Sequence, residues 1–379
     1  MRLISFALAL LCSFSASAAI IVPKAPDLDA SAYILMDSES GRILAEYNAD
    51  KRIPPASLTK MMTSYVALHE LMLGNVKESQ LVPISVNAWR TGGSKMFVRE
   101  GTEVPLIELL RGIIIQSGND SSIAVAEFFA GSEESFAGWM NQFASRFGME
   151  NTHFENATGL PSPTHYSSAR DLAKLSWHII NDHAKYYPLY AEKYFDYNGI
   201  HQPNRNRLLW RDATVDGLKT GHTEEAGYCL AASAVRDGMR LIAVVLGTRS
   251  EEARARETQK LLAYGFRYFE TRKIYDANKE LKTVRVWKGE EDSLKLGLAQ
   301  NLSVNLPRGI KEGLEASVTV SELITAPIKA GQELGQLTLK LNGEVVAQKP
   351  LVALAEVKEA GFFGRTLDSI RLFFKKIFG

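Results

Sequence analysis

From Leu58 onward the apolar residues Met61, Met62, Tyr65, Val66, Leu68 and Met72 recur at three- and four-residue steps, which predicts a buried helix. Pro54-Pro55 stops regular structure just before it, so the helix begins at or near Ser57. A dense apolar run from Leu106 to Ile115 leads into another helical pattern through Ile123, Val125, Ala126 and Phe128, and helical spacing dominates to about Ile180. A further helix is expected from Glu251 to about Phe269. Strands are expected at Ala32 to Leu35 and Ile43 to Tyr47, around Ser40-Gly41. Tyr228 to Ala234 and Leu241 to Leu246 read as two adjacent antiparallel strands, which makes the fold class α+β, a helix cluster on an antiparallel sheet. After about Tyr275 the pattern changes to short alternating segments: Val284 to Trp287, Leu302 to Leu306, Ala316 to Val320 and Leu337 to Leu341. The last turns at Asn342-Gly343 into Val345 to Ala347, a strong hairpin signal, so a separate all-β, sandwich-like domain is expected.

The two ends have patterns of their own. At helical pitch Phe362, Phe363, Leu367, Ile370, Phe373, Phe374, Ile377 and Phe378 share one face, and Arg365, Asp368, Arg371, Lys375 and Lys376 share the other, with Leu372 alone out of place. This stretch is cationic, aromatic and too short to span a bilayer, the character of a helix lying in a membrane interface. At the other end, Met1-Arg2, an apolar run from Leu3 to Phe14 and Ala16-Ser-Ala18 read as a secretory signal. Cys12 would leave with it, so Cys229 is expected to be a lone, buried, apolar residue. With 44 basic and 43 acidic residues the chain has no bulk charge to attract nucleic acid. Seven scattered histidines show no metal-ligand spacing, and no glycine-rich phosphate loop occurs, so neither metal nor nucleotide cofactor is expected.

Three short patterns carry candidate chemistry: Ser57-Leu-Thr-Lys60, Ser117-Gly-Asn119 and Lys219-Thr-Gly221. On a helix Ser57 and Lys60 are neighbours on one face, and the positive helix end favours both an alkoxide on the serine and a neutral lysine. Ser117 and Asn119 sit on a short link between two buried helices, where both can point into a cleft. Two other Ser-x-Asn triplets compete: Ser85-Val-Asn87 lies in a turn-rich stretch, and Ser303-Val-Asn305 lies in a strand alternation that puts both polar residues on the solvated face. Lys219-Thr-Gly221 is expected at the start of the first of the two paired strands. There Lys219 supplies positive charge for a carboxylate, and Gly221 admits the backbone of an extended peptide.

Beyond these patterns, the chain contains Asn156-Ala-Thr-Gly-Leu160, Tyr166-Ser-Ser-Ala-Arg-Asp171, Gln202-Pro-Asn-Arg-Asn-Arg-Leu-Leu-Trp210 and Val215-Asp-Gly-Leu-Lys-Thr-Gly-His-Thr223. On these residues it resembles the D-alanyl-D-alanine carboxypeptidases among the low-molecular-mass penicillin-binding proteins. The resemblance implies a penicillin-binding, serine β-lactamase-like domain over 19–274 after a signal at 1–18, a β-rich domain over 275–357 and an anchoring helix over 358–379. It implies a periplasmic enzyme, held to the outer face of the inner membrane, that trims the terminal D-alanine from peptidoglycan pentapeptides and is acylated by β-lactams. Ser57 is then the nucleophile, Lys60 its base and Ser117 a proton relay. Asn119 bonds the substrate amide, while Lys219, Thr220 and Arg254 receive its carboxylate, and the N–H groups of Ser57 and His222 form an oxyanion hole. A β-lactamase, a D,D-endopeptidase or a non-catalytic β-lactam sensor would use the same constellation. Gly118 in the second pattern, and the lack of a Glu-x-x-Leu-Asn signature between Met149 and Trp177, count against the first of these.

Overall fold

The computed structural model describes residues 22–310 and 313–378, with the helix backbone alone at 375–378. The expected signal, with Cys12, lies outside the described residues, as do Gly379 and the side chains of Lys375, Lys376, Ile377 and Phe378.

The hairpin expected near the start is present as β1 (Ala32–Asp37) and β2 (Ile43–Tyr47). A 3-10 turn, Ala56–Thr59, carries Ser57 into α1 (Lys60–Met72), which is buried almost all round along its first nine residues, as a helix at the centre of a core must be. A small ribbon, β3 (Leu81–Pro83) with β4 (Glu103–Pro105), brackets α2 (Val86–Arg90). Ser85 caps α2 by accepting the N–H of Ala88, which accounts for that competing Ser-x-Asn triplet. Next come α3 (Leu106–Arg111), a π turn at Gly112–Gln116, α4 (Asn119–Ala130), α5 (Glu133–Arg146) and α6 (Ala169–Asp182). The hairpin of β5 (Tyr194–Tyr197) and β6 (Ile200–Pro203) and the single turn α7 (Leu208–Arg211) lead back to the sheet.

That sheet is completed by β7 (Val215–Thr223), β8 (Gly227–Arg236) and β9 (Met239–Thr248), in the order β2-β1-β9-β8-β7 and antiparallel throughout. The expected strand pair is β8 and β9, but the Lys219 triplet does not open the first of them. It lies inside a third strand, β7, at the edge of the sheet. The mixture of Asp216, Gly217, Lys219 and Gly221 hides β7 from any alternation of apolar and polar positions. The sheet is covered on both faces: Ile34, Met36, Ile242 and Val244 pack among the helices α1 to α6, and Leu35, Leu241, Ala243 and Val245 pack against Leu261, Leu262 and Phe266 of α8 (Glu251–Tyr268). Burial on both sides explains why Leu241 to Leu246 reads as one unbroken apolar run.

The chain passes from α8 directly into β10 (Phe269–Tyr275), then β11 (Lys282–Arg285), β12 (Ser293–Gly297), β13 (Leu302–Pro307), β14 (Leu314–Val320), β15 (Glu333–Leu341) and β16 (Glu344–Ala353). A sheet in the order β11-β12-β16-β15-β14 and a β10-β13 ribbon enclose Val286, Leu296, Leu306, Leu337, Leu339 and Leu351. The β15-β16 turn has both Asn342 and Gly343 at positive φ, 52° and 88°, as the primed hairpin turn requires. Asn305 is not on a solvated strand face. It is buried where the two domains meet, with Nδ2 donating to Thr271 Oγ1 at 3.1 Å, while Arg42 Nη1 donates to its carbonyl oxygen at 2.7 Å. The final helix, α9 (Phe362–Phe378), leaves Phe362, Phe363, Leu367, Ile370, Phe373 and Phe374 exposed as expected. Asp368, assigned by pitch to the solvated face, is instead buried and accepts the N–H of Lys288 at 2.7 Å, so α9 is tied to the β-rich domain.

One carboxylate shapes the approach to the helix cluster. Asp120, fully buried in the first turn of α4, accepts the N–H groups of Met96 (3.0 Å), Phe97 (2.8 Å) and Val98 (3.2 Å) and so holds the loop that precedes β4. Asp120→Ala strands these donors. A loss of about 3 kcal/mol or more of unfolding free energy in urea titration is expected, and with it a loosened hold on Asn119, whose N–H the Ser94 carbonyl in the same loop accepts at 2.7 Å.

Candidate active site

The three patterns, far apart in sequence, meet at one cleft of about 260 Å³ lined by Ser57, Ser94, Ser117, Arg205, Thr220, Gly221, His222, Tyr228, Glu251 and Arg254. Its back wall holds Lys60, which is 1% exposed. Lys60 Nζ donates to Ser57 Oγ at 3.2 Å, to Asn119 Oδ1 at 2.7 Å and to the carbonyl oxygen of Thr158 at 2.5 Å. All three acceptors are uncharged. Burial therefore pushes the Lys60 amine from its ordinary 10.5 down to about 7, with the nearby Arg205 charge acting in the same direction. The sequence points to the helix end as the cause of a neutral lysine; in the folded chain burial leads and Arg205 is the next contributor.

Each side chain is held by its element. Asn119 opens α4 and has its amide nitrogen tied to the carbonyl of Gly92 at 2.7 Å, which fixes Oδ1 toward Lys60. Ser117 ends the π turn in the left-handed region at φ 67°, and its buried Oγ has no hydrogen-bond partner among the described residues. A strained serine with an unused hydroxyl beside a cleft is poised for a ligand or a proton. Ala56, just before Ser57, is also left-handed at φ 48°. A Cβ on Gly159 would run into the carbonyl oxygen of Ala56, so glycine is needed at Gly159 for this close approach.

Gly221, which lines the cleft, also has a packing role within the fold. A Cβ there would lie 3.0 Å from the carbonyl oxygen of Pro55 and 3.3 Å from the Cβ of Ala56, so its bareness lets β7 press against the turn that carries Ser57. Lys219, also buried, donates to the carbonyl oxygen of Thr220 at 3.0 Å. Burial first, then the charges of Lys60, Arg205 and Arg254, hold its amine well below the ordinary lysine value. Arg254 lies one turn into α8, buried, with Nη1 3.4 Å from the carbonyl of Gly221 and its guanidinium 5.6 Å from the centre of the Tyr228 ring. His222 stacks on the same ring at 3.9 Å. A rim this rich in cations suits an anionic group on the substrate.

Several contributors carry no signal of their own in the sequence: the carbonyl of Thr158, the Gly92 to Ser94 loop, Arg205, Tyr228 and Glu251. Arg205 falls within a segment matched to the family, yet an arginine in a loop is indistinguishable from a surface charge until the chain is folded. His165 is a further case. Its Nδ1 accepts the N–H of Glu155 at 3.1 Å, so Nε2 carries the hydrogen and donates to Thr59 Oγ1 at 2.7 Å, pinning the loop that bears Thr158 against the Ser57 turn. Cys229 is buried as expected, and burial raises its thiol to about 11, which suits packing and not reaction.

Residues 19–250 match the family profile described as D-alanyl-D-alanine carboxypeptidase, and residues 269–359 match that of the penicillin-binding protein 5 C-terminal domain. The D-alanyl-D-alanine carboxypeptidase DacA of Escherichia coli strain K12 is 45% identical over 367 residues, 95% of this chain and 91% of that protein. Penicillin binding protein 5 from Haemophilus influenzae superposes with a TM-score of 0.84 at 42% identity, covering 89% of this chain and 100% of that one. Penicillin-binding protein D2 from Listeria monocytogenes, solved in an ampicillin-bound form, gives a TM-score of 0.60 at 29% identity over 64% of this chain and 100% of its own.

If neutral Lys60 is the base, penicillin acylation rises with pH through about 7 and levels off above it. Lys60→Arg keeps the charge but cannot lose its proton, so acylation should fall by roughly a hundredfold or more at every pH, with the rise through neutrality gone. Stopped-flow acylation across the pH range checks both.

Proposed function

The chain belongs to the D-alanyl-D-alanine carboxypeptidase family of serine peptidases, and from that premise we propose how its residues divide the work. The enzyme removes the terminal D-alanine of peptidoglycan pentapeptides. Ser57 Oγ attacks the carbonyl carbon between the two D-alanines as its proton passes to neutral Lys60. The oxyanion is met by the backbone N–H groups of Ser57 and His222, and Asn119 bonds the substrate amide. Ser117, with its otherwise unused hydroxyl, relays the proton from Lys60 to the departing nitrogen, and D-alanine leaves. Water then attacks the Ser57 ester, Lys60 accepts its proton, and the serine is regenerated. Thr220, Lys219 and Arg254 hold the terminal carboxylate. Its negative charge draws Lys219 back to the protonated state, which in turn keeps Lys60 neutral. The observation that carries this reading is the 3.2 Å contact between a buried lysine amine and the serine hydroxyl.

A β-lactam offers the same carbonyl and carboxylate but keeps its leaving nitrogen tethered, so it acylates Ser57 and departs slowly. The ampicillin-bound relative supports this part of the reading. Residues 19–274 do the chemistry, 275–357 act as a spacer, and 358–379 anchor the protein in the membrane interface. The exposed phenylalanines of α9, with Phe363 88% exposed, supply apolar surface for that interface, and among the described residues no helix is long and apolar enough to span a bilayer. The signal-like residues 1–18 put the enzyme in the periplasm, on the outer face of the inner membrane.

Ser57→Ala should abolish both D-alanine release from a pentapeptide and covalent penicillin labelling while the melting temperature stays within a few degrees of the parent; labelling that persisted elsewhere would refute the assignment. Deleting 362–379 should move the protein from the membrane pellet to the soluble fraction and leave hydrolysis of a small soluble peptide intact. Sedimentation unchanged by the deletion would point to another tether.

A further inference from the structure

An aromatic surface stands on the outer side of the β5-β6 hairpin. Tyr194 and Trp210 are 49% and 41% exposed and meet edge to face with ring centres 5.7 Å apart. His201 stacks on Tyr194 at 4.7 Å, and the Lys193 amine lies 6.0 Å from the centre of the Trp210 ring. His201 Nδ1 pairs with Asp196 Oδ1 at 2.7 Å, which fixes the imidazole in place. The two-residue period of the hairpin turns Phe195 and Gln202 inward, where both are buried, and therefore turns Tyr194, Asp196 and His201 outward. The fold needs only polar residues on that side. Large rings clustered there, with charged and hydrogen-bonding groups beside them, mark a recognition surface.

The hairpin that bears this surface is tied to the walls of the cleft. Asn204 donates its N–H to the carbonyl of Lys193 at 2.8 Å, and the next residue, Arg205, lines the cleft. In the turn of the hairpin Asn198 Nδ2 donates to the carbonyl of Phe97 at 3.4 Å, and in β6 Gln202 Nε2 donates to that of Lys95 at 3.2 Å, in the loop whose Ser94 lines the cleft. The hairpin thus extends the wall of the active site outward.

We propose that Tyr194, His201 and Trp210 form a platform for a pyranose ring of the glycan strand to which the stem peptide is joined. The C–H faces of a sugar ring are apolar and match the faces of aromatic rings, while its hydroxyl and acetamido groups find donors and acceptors in Lys193, Asp196 and His201. The surface would hold the polymer while the peptide end enters the cleft. The proposal rests on the carboxypeptidase reading above.

The test compares two substrates with the full chain: a free stem pentapeptide without sugar, and the same peptide on polymeric glycan. Trp210→Ala and Tyr194→Ala should raise KM for the polymer by roughly tenfold, the scale of one lost aromatic contact. kcat on the polymer and both constants for the free peptide should stay unchanged. Trp210→Phe should recover most of the loss, and glycan chains stripped of their peptides should compete with the polymer for the parent enzyme but not for Trp210→Ala. Unchanged penicillin acylation and melting temperature serve as the folding control; if Trp210→Ala fails it, Tyr194→Ser, at an exposed strand position, carries the test. Equal losses on both substrates, or no loss on the polymer, would overturn the platform. A parent enzyme that released no D-alanine from the free pentapeptide would instead overturn the carboxypeptidase reading.

Discussion

The buried amine of Lys60 is the constraint on which the site depends. Taken out of water and given only uncharged acceptors, in Ser57, Asn119 and Thr158, it cannot remain a comfortable cation. A carboxylate at any of these positions would stabilise the ammonium and hold it protonated. The fold instead commits the buried carboxylate of Asp120 to three backbone N–H groups of a loop. Lys219 is in the same position, buried and with only the Thr220 carbonyl as its acceptor among the described residues. Two buried amines whose hydrogen-bond acceptors are all uncharged make the empty site costly and favour an anion there.

The second requirement is close approach. Ser57 sits in a 3-10 turn squeezed between the edge strand β7 and the loop that bears Thr158. Two missing side chains make the fit possible, Gly221 on the strand side and Gly159 on the loop side. Left-handed backbone at Ala56 and Ser117 shows that the site is shaped against local preference and held by its surroundings. The double-sided core supplies that support, because a sheet packed between α8 and the larger helix cluster has little freedom to relax around a strained turn.

The two domains meet through a polar junction. Arg42 reaches the carbonyl of Asn305, and Thr271 bridges Asp37 and the Asn305 side chain. Buried polar contacts of this kind set a relative orientation more than they add stability. At the far end Asp368 joins α9 to the backbone of Lys288. A chain of directional contacts therefore runs from the sheet of the catalytic domain to the exposed apolar face of the last helix.

Periodicity and turn chemistry were enough to determine the helix cluster, β8 and β9, the Asn342-Gly343 hairpin and the amphipathic end, because these elements bury a regular face or need particular turn residues. The three short patterns, and with them the family, were also legible, since Ser57 and Lys60 sit one helical turn apart. Strands β7, β10 and β12 were not, because their short or polar segments gain their hydrogen bonds and packing only from neighbours distant in sequence. Nor were the burial of Asn305 and Asp368, which alternation and pitch assign to water and which a second domain or a neighbouring backbone covers. Arg205, the Thr158 carbonyl and the inward reason for Gly221 belong to the same class. The residue types in the site were decided locally, whereas its dielectric, the position of its protons and the tightness of its walls exist only where remote segments exclude water together.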